Sequence, residues 1–166
     1  KFDREQAERY VDEVLALEEK LRDTNDKINK LDQEETLIKP WIGYATPLEM
    51  KGTHKTIIHE GVVPTTVDMT EIINELEGIG GIVVKLINAD KDLNYVAFIC
   101  LRSKEEEIMS LLKQKGFSEV YFRHLKGTVA ENVERIKKEK EELFAKVKDI
   151  EKEAAERASL RRIIEN

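Results

Sequence analysis

The sequence contains few of the residues from which catalytic and metal sites are commonly built. Its 166 residues include one cysteine, three histidines and one tryptophan, and aromatic residues make up only 6%. A lone Cys100 excludes an internal disulfide, and because free cysteine is often buried we expect it in the core. The histidines His54, His59 and His124 lack the cysteines or paired carboxylates that usually complete a metal site. We therefore predict no metal, no cofactor and no catalytic residues.

The sequence also lacks an excess of positive charge and a long apolar run. The formal net charge is -6, whereas a nucleic-acid-binding surface needs clustered Lys and Arg. No apolar run approaches the roughly 20 residues that a membrane-spanning helix needs. The sequence begins at Lys1, and both of its ends have helical patterns. We therefore expect a segment of a longer protein, with no nucleic-acid partner and no direct insertion of this segment into a membrane.

Proline and glycine are scarce, with three and eight residues, while 37% of the residues are charged. This composition favours long helices, and apolar residues at heptad spacing predict two of them, over residues 1–39 and 127–166. Because both segments adjoin the same central region, we expect them to pair as an antiparallel coiled-coil arm. Lys140 interrupts the second pattern, and Leu160, Ile163 and Ile164 have no evident partner. The predicted seam consists of Val14, Leu17, Leu21, Ile28, Leu31, Val133, Ile136, Leu143, Val147 and Ile150.

Residues 40–126 between the two helices predict an α/β lobe. Strands are expected at residues 56–63, 82–87, 95–101 and 119–125, with helices that begin at Asp68 and, through a capping box with Glu106, at Ser103. This βαββαβ order predicts an α+β fold of the ferredoxin-like type. Residues 40–55 form a junction segment, in which Trp41 either packs between helix and lobe or anchors a partner.

The predicted sheet has two apolar faces. Val84, Leu86, Val96, Phe98, Cys100, Val120 and Phe122 are expected to face the helices. The opposite face is too apolar for a solvated surface, so either the junction segment covers it or it docks a partner. The candidate partner-binding residues on that face are Val83, Lys85, Ile87, Ile99, Leu101, Tyr121 and Arg123.

The order of these features resembles a known family. A heptad helix ends in Ile38-Lys39-Pro40-Trp41, a Thr46-Pro47-Leu48 turn follows, and a strand runs into residues 60–64, Glu-Gly-Val-Val-Pro, before a split βαβ unit and a returning helix. This arrangement resembles the cytoplasmic part of subunit I of V/A-type rotary ATPases, the counterpart of V-ATPase subunit a.

The resemblance implies a non-catalytic stator component at the cytoplasmic face of the membrane. Its partners would be the peripheral-stalk E and G subunits and other subunits of the ATPase. A ligand-sensing regulatory domain of the split βαβ type is the alternative, with the glycines at 78–81 as its candidate loop. A nucleic-acid-binding arm would need a basic helical face, which the mixed charges disfavour, and an enzyme is the least favoured class.

Overall fold

The computed structural model describes residues 3–165, with side chains as far as residue 159. The chain divides into two compact units. One comprises the residues up to Thr36 together with those from Glu134 onward, and the other is Leu37–Val133. The side chains of Leu160, Ile163 and Ile164, for which the sequence indicates no partner, lie outside the described residues.

Two long helices supply the first unit. Helix α1 spans Arg4–Ile38 and helix α4 spans Val129–Glu165, and neither contains the proline or glycine that would interrupt it. Helix α1 ends where Pro40 enters a short 3-10 turn, Lys39–Trp41. Within the first unit, Glu13 pairs with Arg157 at 2.6 Å and Asp32 with Lys140 at 2.5 Å. Because partners later in α1 lie earlier in α4, the two helices run antiparallel.

The residues of the predicted seam are the less exposed ones along both helices. Thr24 is also buried and donates its hydroxyl to the backbone oxygen of Lys20 at 2.7 Å, which satisfies that polar group within the helix. Among the seam residues, Leu17, Ile28, Ile136 and Ile150 are buried, and Val14, Leu21, Leu31, Val133, Leu143 and Val147 are half-buried.

The second unit contains a mixed arrangement of helices and strands. In chain order its elements are β1 (Thr56–Pro64), α2 (Met69–Ile79), β2 (Ile82–Ala89), β3 (Leu93–Leu101), α3 (Glu105–Gln114) and β4 (Ser118–Glu119). The strands form one antiparallel sheet in the order β2-β3-β1-β4. The fold class is therefore α+β, as predicted.

Both short helices pack on one face of this sheet. Ile72 and Leu76 of α2 and Ile108 and Leu112 of α3 are buried against Val63, Val96, Phe98 and Cys100 of the strands. Burial raises the pKa of the Cys100 thiol, so the cysteine is the core residue that the sequence predicted. Gly61 is needed where β1 meets the chain before β4, because a Cβ there would lie 2.3 Å from the Phe117 ring.

Several local predictions are wrong. The fourth strand was predicted over residues 119–125 but ends at Glu119. His124 has φ of 66°, which an extended strand does not allow. The predicted capping box at Ser103 is absent, because Arg102–Lys104 forms a 3-10 turn and α3 begins without a side-chain cap. Leu86 was expected in the core but is 47% exposed, since β2 lies at the edge of the sheet.

Candidate functional site

The sheet face away from α2 and α3 carries most of the predicted docking residues. The register aligns Val83 with Ile99 and Ile99 with Ile58, so these residues share one row across the face. The next row contains Lys85, Ala97 and Glu60. Directly paired residues of an antiparallel sheet point to the same side. The alternation read from the sequence therefore places Val83, Lys85 and Ile99 on one face.

The junction segment covers part of this face through Trp41. The indole is 1% exposed and packs edge-on against Tyr95 and Phe122, with ring centroids 5.5 and 5.4 Å apart. Tyr44 completes this cluster at 6.1 Å. Trp41 is thus a packing residue rather than an exposed anchor. Phe122, which was expected to face the helices, contacts Trp41 instead.

Hydrogen bonds join the junction segment to its surroundings in the second unit. The side-chain amide of Asn88 donates to the backbone oxygen of Pro40 at 2.9 Å. The backbone amide of Leu48 donates to the Gly127 oxygen at 2.8 Å, and the Gly127 amide donates to the Glu49 carboxylate at 2.7 Å. Leu48 itself is fully buried. The segment is therefore an ordered part of the lobe. It covers the part of the sheet face beside Trp41, which is the first of the two explanations given for an apolar face.

Another part of the same face stays open. Val83 is 69% exposed and Leu101 is 40% exposed. Lys85 is exposed, while Ile87 and Ile99 are half-buried. These five residues, which we call the open patch, combine apolar side chains with a single charge. An exposed apolar surface of this kind is typical of an interaction site.

Tyr121 and Arg123 do not belong to the open patch, because the fourth strand ends before them. Tyr121 is 60% exposed and donates its hydroxyl to the Glu119 carboxylate at 3.0 Å. That hydrogen bond raises the pKa of the Tyr121 phenol. The guanidinium of Arg123 lies 5.9 Å from the Tyr121 ring centroid. The expected seven-residue surface is thus divided into five residues on the sheet and two in the segment that follows β4.

A carboxylate that the sequence analysis overlooked lies beneath the junction segment. Glu60 is 3% exposed, and the Tyr44 hydroxyl donates to it at 3.4 Å. Burial raises the pKa of Glu60, and burial together with the Glu60 charge raises the pKa of Tyr44 to about 12. The only sequence signal is the position of Glu60 in β1, where alternation places it on the face shared with Ala97. The Glu60 carboxylate and the Tyr44 hydroxyl form a polar contact within the lobe.

His59, which the sequence analysis considered only as a metal-ligand candidate, lies largely buried between two carboxylates. Its side chain is 12% exposed, with Nε2 3.3 Å from the Glu105 carboxylate and Nδ1 in contact with Glu119. The imidazole also lies 5.2 Å from the Phe98 ring. Across the residues that the structure describes, no group of three or more Cys, His, Asp and Glu side chains is placed to hold a metal ion. Through its contacts with Glu105 and Glu119, His59 joins β1 to the start of α3 and to β4.

The glycines at 78–81 act as a backbone turn. Gly80 and Gly81 have φ of 78° and 69°, a region that favours glycine. The Gly80 amide donates to the Leu76 oxygen at 3.0 Å, and the Leu101 amide donates to the Gly81 oxygen at 2.9 Å. These bonds end α2 and begin β2. The loop therefore has a structural explanation, and no observation favours a ligand there.

The comparisons with known proteins identify the class of fold. The chain matches the solved structure titled "Crystal structure of the cytoplasmic N-terminal domain of subunit I, homolog of subunit a, of V-ATPase" with a TM-score of 0.58. The match covers 87% of this chain and 48% of that one, at 13% sequence identity. No protein-family model and no curated protein matches the sequence. This chain therefore shares the fold of about half of that subunit I domain.

In the part of the chain that the structure describes, no helix is both long enough and apolar enough to cross a bilayer.

Proposed function

We propose that this chain is a non-catalytic stator component of a V/A-type ion-translocating rotary ATPase, at the cytoplasmic face of the membrane. The observation that carries the proposal is the shared fold with the subunit I domain over most of the chain. The strand order β2-β3-β1-β4, with α2 and α3 on one face, supports the assignment of the lobe as a ferredoxin-like unit. The chain would contribute to holding the stationary part of the enzyme against the torque of the rotor.

The helical unit suits a mechanical role. We propose that α1 and α4 form an antiparallel coiled coil along the predicted seam. Two long helices joined by apolar contacts and ion pairs resist bending better than one, because bending must stretch one helix and compress the other. The Arg135 guanidinium pairs with the Glu34 carboxylate of α1. It also pairs with the Glu139 carboxylate of its own helix, at 3.1 Å. Such a pair of helices would link the stalk partners to the membrane part of the enzyme.

We propose that the open patch docks the peripheral-stalk E and G subunits. Its five residues are Val83, Lys85, Ile87, Ile99 and Leu101. The patch is the apolar part of its sheet face that the Trp41 cluster leaves uncovered, and Lys85 gives it a single positive charge at the centre of β2. A partner with apolar residues and a carboxylate opposite Lys85 would fit it.

The test is a calorimetric titration of this chain with a purified E and G heterodimer from the same source. We expect saturable binding, and we expect Lys85→Glu to weaken it about tenfold, because a like charge at an interface opposes association. Lys91→Glu is the matched control, since Lys91 is exposed in the turn between β2 and β3. Arg123→Glu tests whether the segment after β4 takes part in docking independently of the open patch. Absence of binding by the folded chain would refute the docking role, and equal affinities of Lys85→Glu and wild type would remove the open patch from it.

A further inference from the structure

The outer edge of β2 has no neighbouring strand in the sheet. The order β2-β3-β1-β4 places β2 at one side, and its eight residues make it the longer of the two edge strands, since β4 has two. An exposed edge of this kind presents backbone donors and acceptors that can pair with another chain.

The hydrogen-bond pattern shows which backbone groups of β2 point outward. The Leu101 amide donates to the Gly81 oxygen at 2.9 Å, which makes Gly81 a hydrogen-bonded position opposite β3. In an antiparallel ladder these positions alternate, so Val83 and Lys85 also bond to β3. The amides and carbonyls of Ile82, Val84 and Leu86 therefore point away from the sheet. Between residues 3 and 165, no backbone bond from another element reaches these three residues.

The rest of the edge is obstructed, which bounds the free part. The ladder shifts register between Leu86 and Asn88. Beyond this bulge, Asn88 bonds to Pro40, and Gly43 lies beside the Ile87 carbonyl. The open ladder thus runs over Ile82–Leu86, with three outward donors and three outward acceptors in alternation.

The side chains beside the open ladder are unusually apolar for an edge strand. Val83 is 69% exposed on one face and Leu86 is 47% exposed on the other. Residues 82–87 contain a single charge, Lys85. Natural edge strands commonly avoid pairing through charges, proline or very short length. Here the bulge ends the free ladder on one side, while residues 82–86 retain the features of a strand that accepts another.

We infer that the outer edge of β2 binds an extended segment of the stalk partner as a fifth strand of the sheet. Main-chain hydrogen bonds to Ile82, Val84 and Leu86 would supply affinity, and pockets for alternate side chains would supply specificity. The segment would place apolar residues beside Val83 and Leu86 and a carboxylate beside Lys85. The identity of the partner rests on the proposed function.

A second copy of this chain fits the edge less well than such a segment. Two β2 strands paired antiparallel about Val84 would set Lys85 of each copy opposite Val83 of the other. Neither ammonium group would then meet a carboxylate across the strands. The charge therefore selects a partner that carries an acidic residue within an apolar, extended stretch.

Residue-resolved amide exchange of this chain, with and without the E and G heterodimer, tests the inference. We expect new protection at Ile82, Val84 and Leu86, and little change at Val83 and Lys85, whose amides already bond to β3. Leu86→Pro removes one outward donor from an exposed position, and proline is tolerated where an edge amide faces solvent. We expect it to weaken binding about tenfold, whereas the control Leu86→Val, which keeps both the amide and an apolar side chain, stays within about twofold. Circular dichroism and thermal unfolding confirm that both variants fold.

The possible outcomes separate the two proposals. Binding without alternating protection, or equal affinities for Leu86→Pro and Leu86→Val, overturns strand addition and leaves the stator role intact. Absence of binding by the folded chain overturns both. Alternating protection without the heterodimer, together with a dimer in sedimentation velocity, assigns the edge to a second copy and overturns the choice of occupant.

Discussion

Replacement of Trp41 by alanine is expected to destabilise the lobe more than any change on its surface. The indole is 1% exposed and touches the rings of Tyr44, Tyr95 and Phe122. Truncation of a buried aromatic residue to alanine costs about 3–5 kcal/mol. The total stability of a domain is about 5–15 kcal/mol, so Trp41→Ala should remove a large part of it. In a lobe of this size each 1 kcal/mol lowers the Tm by about 4–8 °C.

The assay is urea and thermal unfolding followed by far-ultraviolet circular dichroism, because Trp41 is the only tryptophan and its fluorescence is lost in the variant. Ile42→Ala is the matched control, since the neighbouring Ile42 is 52% exposed and surface changes usually stay within about 0.5 kcal/mol. We expect Trp41→Phe to fall between the two, because a phenyl ring keeps part of the packing. A loss below about 1 kcal/mol for Trp41→Ala would refute the role of the junction segment as part of the lobe core.

Two further predictions concern the buried carboxylate and the helical pair. Because burial raises the pKa of Glu60 in the folded chain, the folded state holds this proton more tightly than the unfolded state, and Glu60 lowers stability as the pH rises from the ordinary to the raised pKa. Glu60→Gln should therefore gain in unfolding free energy relative to wild type as the pH rises above the ordinary carboxyl pKa of 4.5 in urea titrations, and a constant difference would contradict this reasoning. In the seam, Ile136→Ala should cost about 2–5 kcal/mol, because Ile136 is fully buried. Leu143→Ala should cost less, since Leu143 is half-buried, and the reverse order in thermal melts would show that the seam is misassigned.

Local sequence patterns predict most of the lobe correctly. The alternation of β3 places Val96, Phe98 and Cys100 together in the core. Asp68 caps α2 by accepting a hydrogen bond from the Thr70 amide at 2.9 Å, as its position before an apolar helical repeat indicates. These features depend on residues close in the sequence, so periodicity and capping chemistry suffice to predict them.

The errors arise where a distant contact overrides the local pattern. Residues 119–125 alternate like a strand, but Phe122 is drawn to Trp41, which lies far away in the sequence. A glutamate in a strand is usually expected to be exposed, yet Glu60 is buried, and the Tyr44 hydroxyl donates to it. The burial and contacts of residues 60 and 122 depend on where the junction segment packs, and no short window of sequence contains that information.

The lysine in the helical seam has a mechanical consequence. Lys140 is 19% exposed, lies 2.5 Å from Asp32 and 3.8 Å from Glu35, and has its pKa raised chiefly by the hydrogen bond to Asp32. A polar residue within an apolar seam fixes the alignment of two helices at some cost in stability. If one helix slid along the other by a turn, the ammonium group would leave both carboxylates. We therefore expect Lys140 to oppose sliding of the two helices along each other when the pair is loaded along its length.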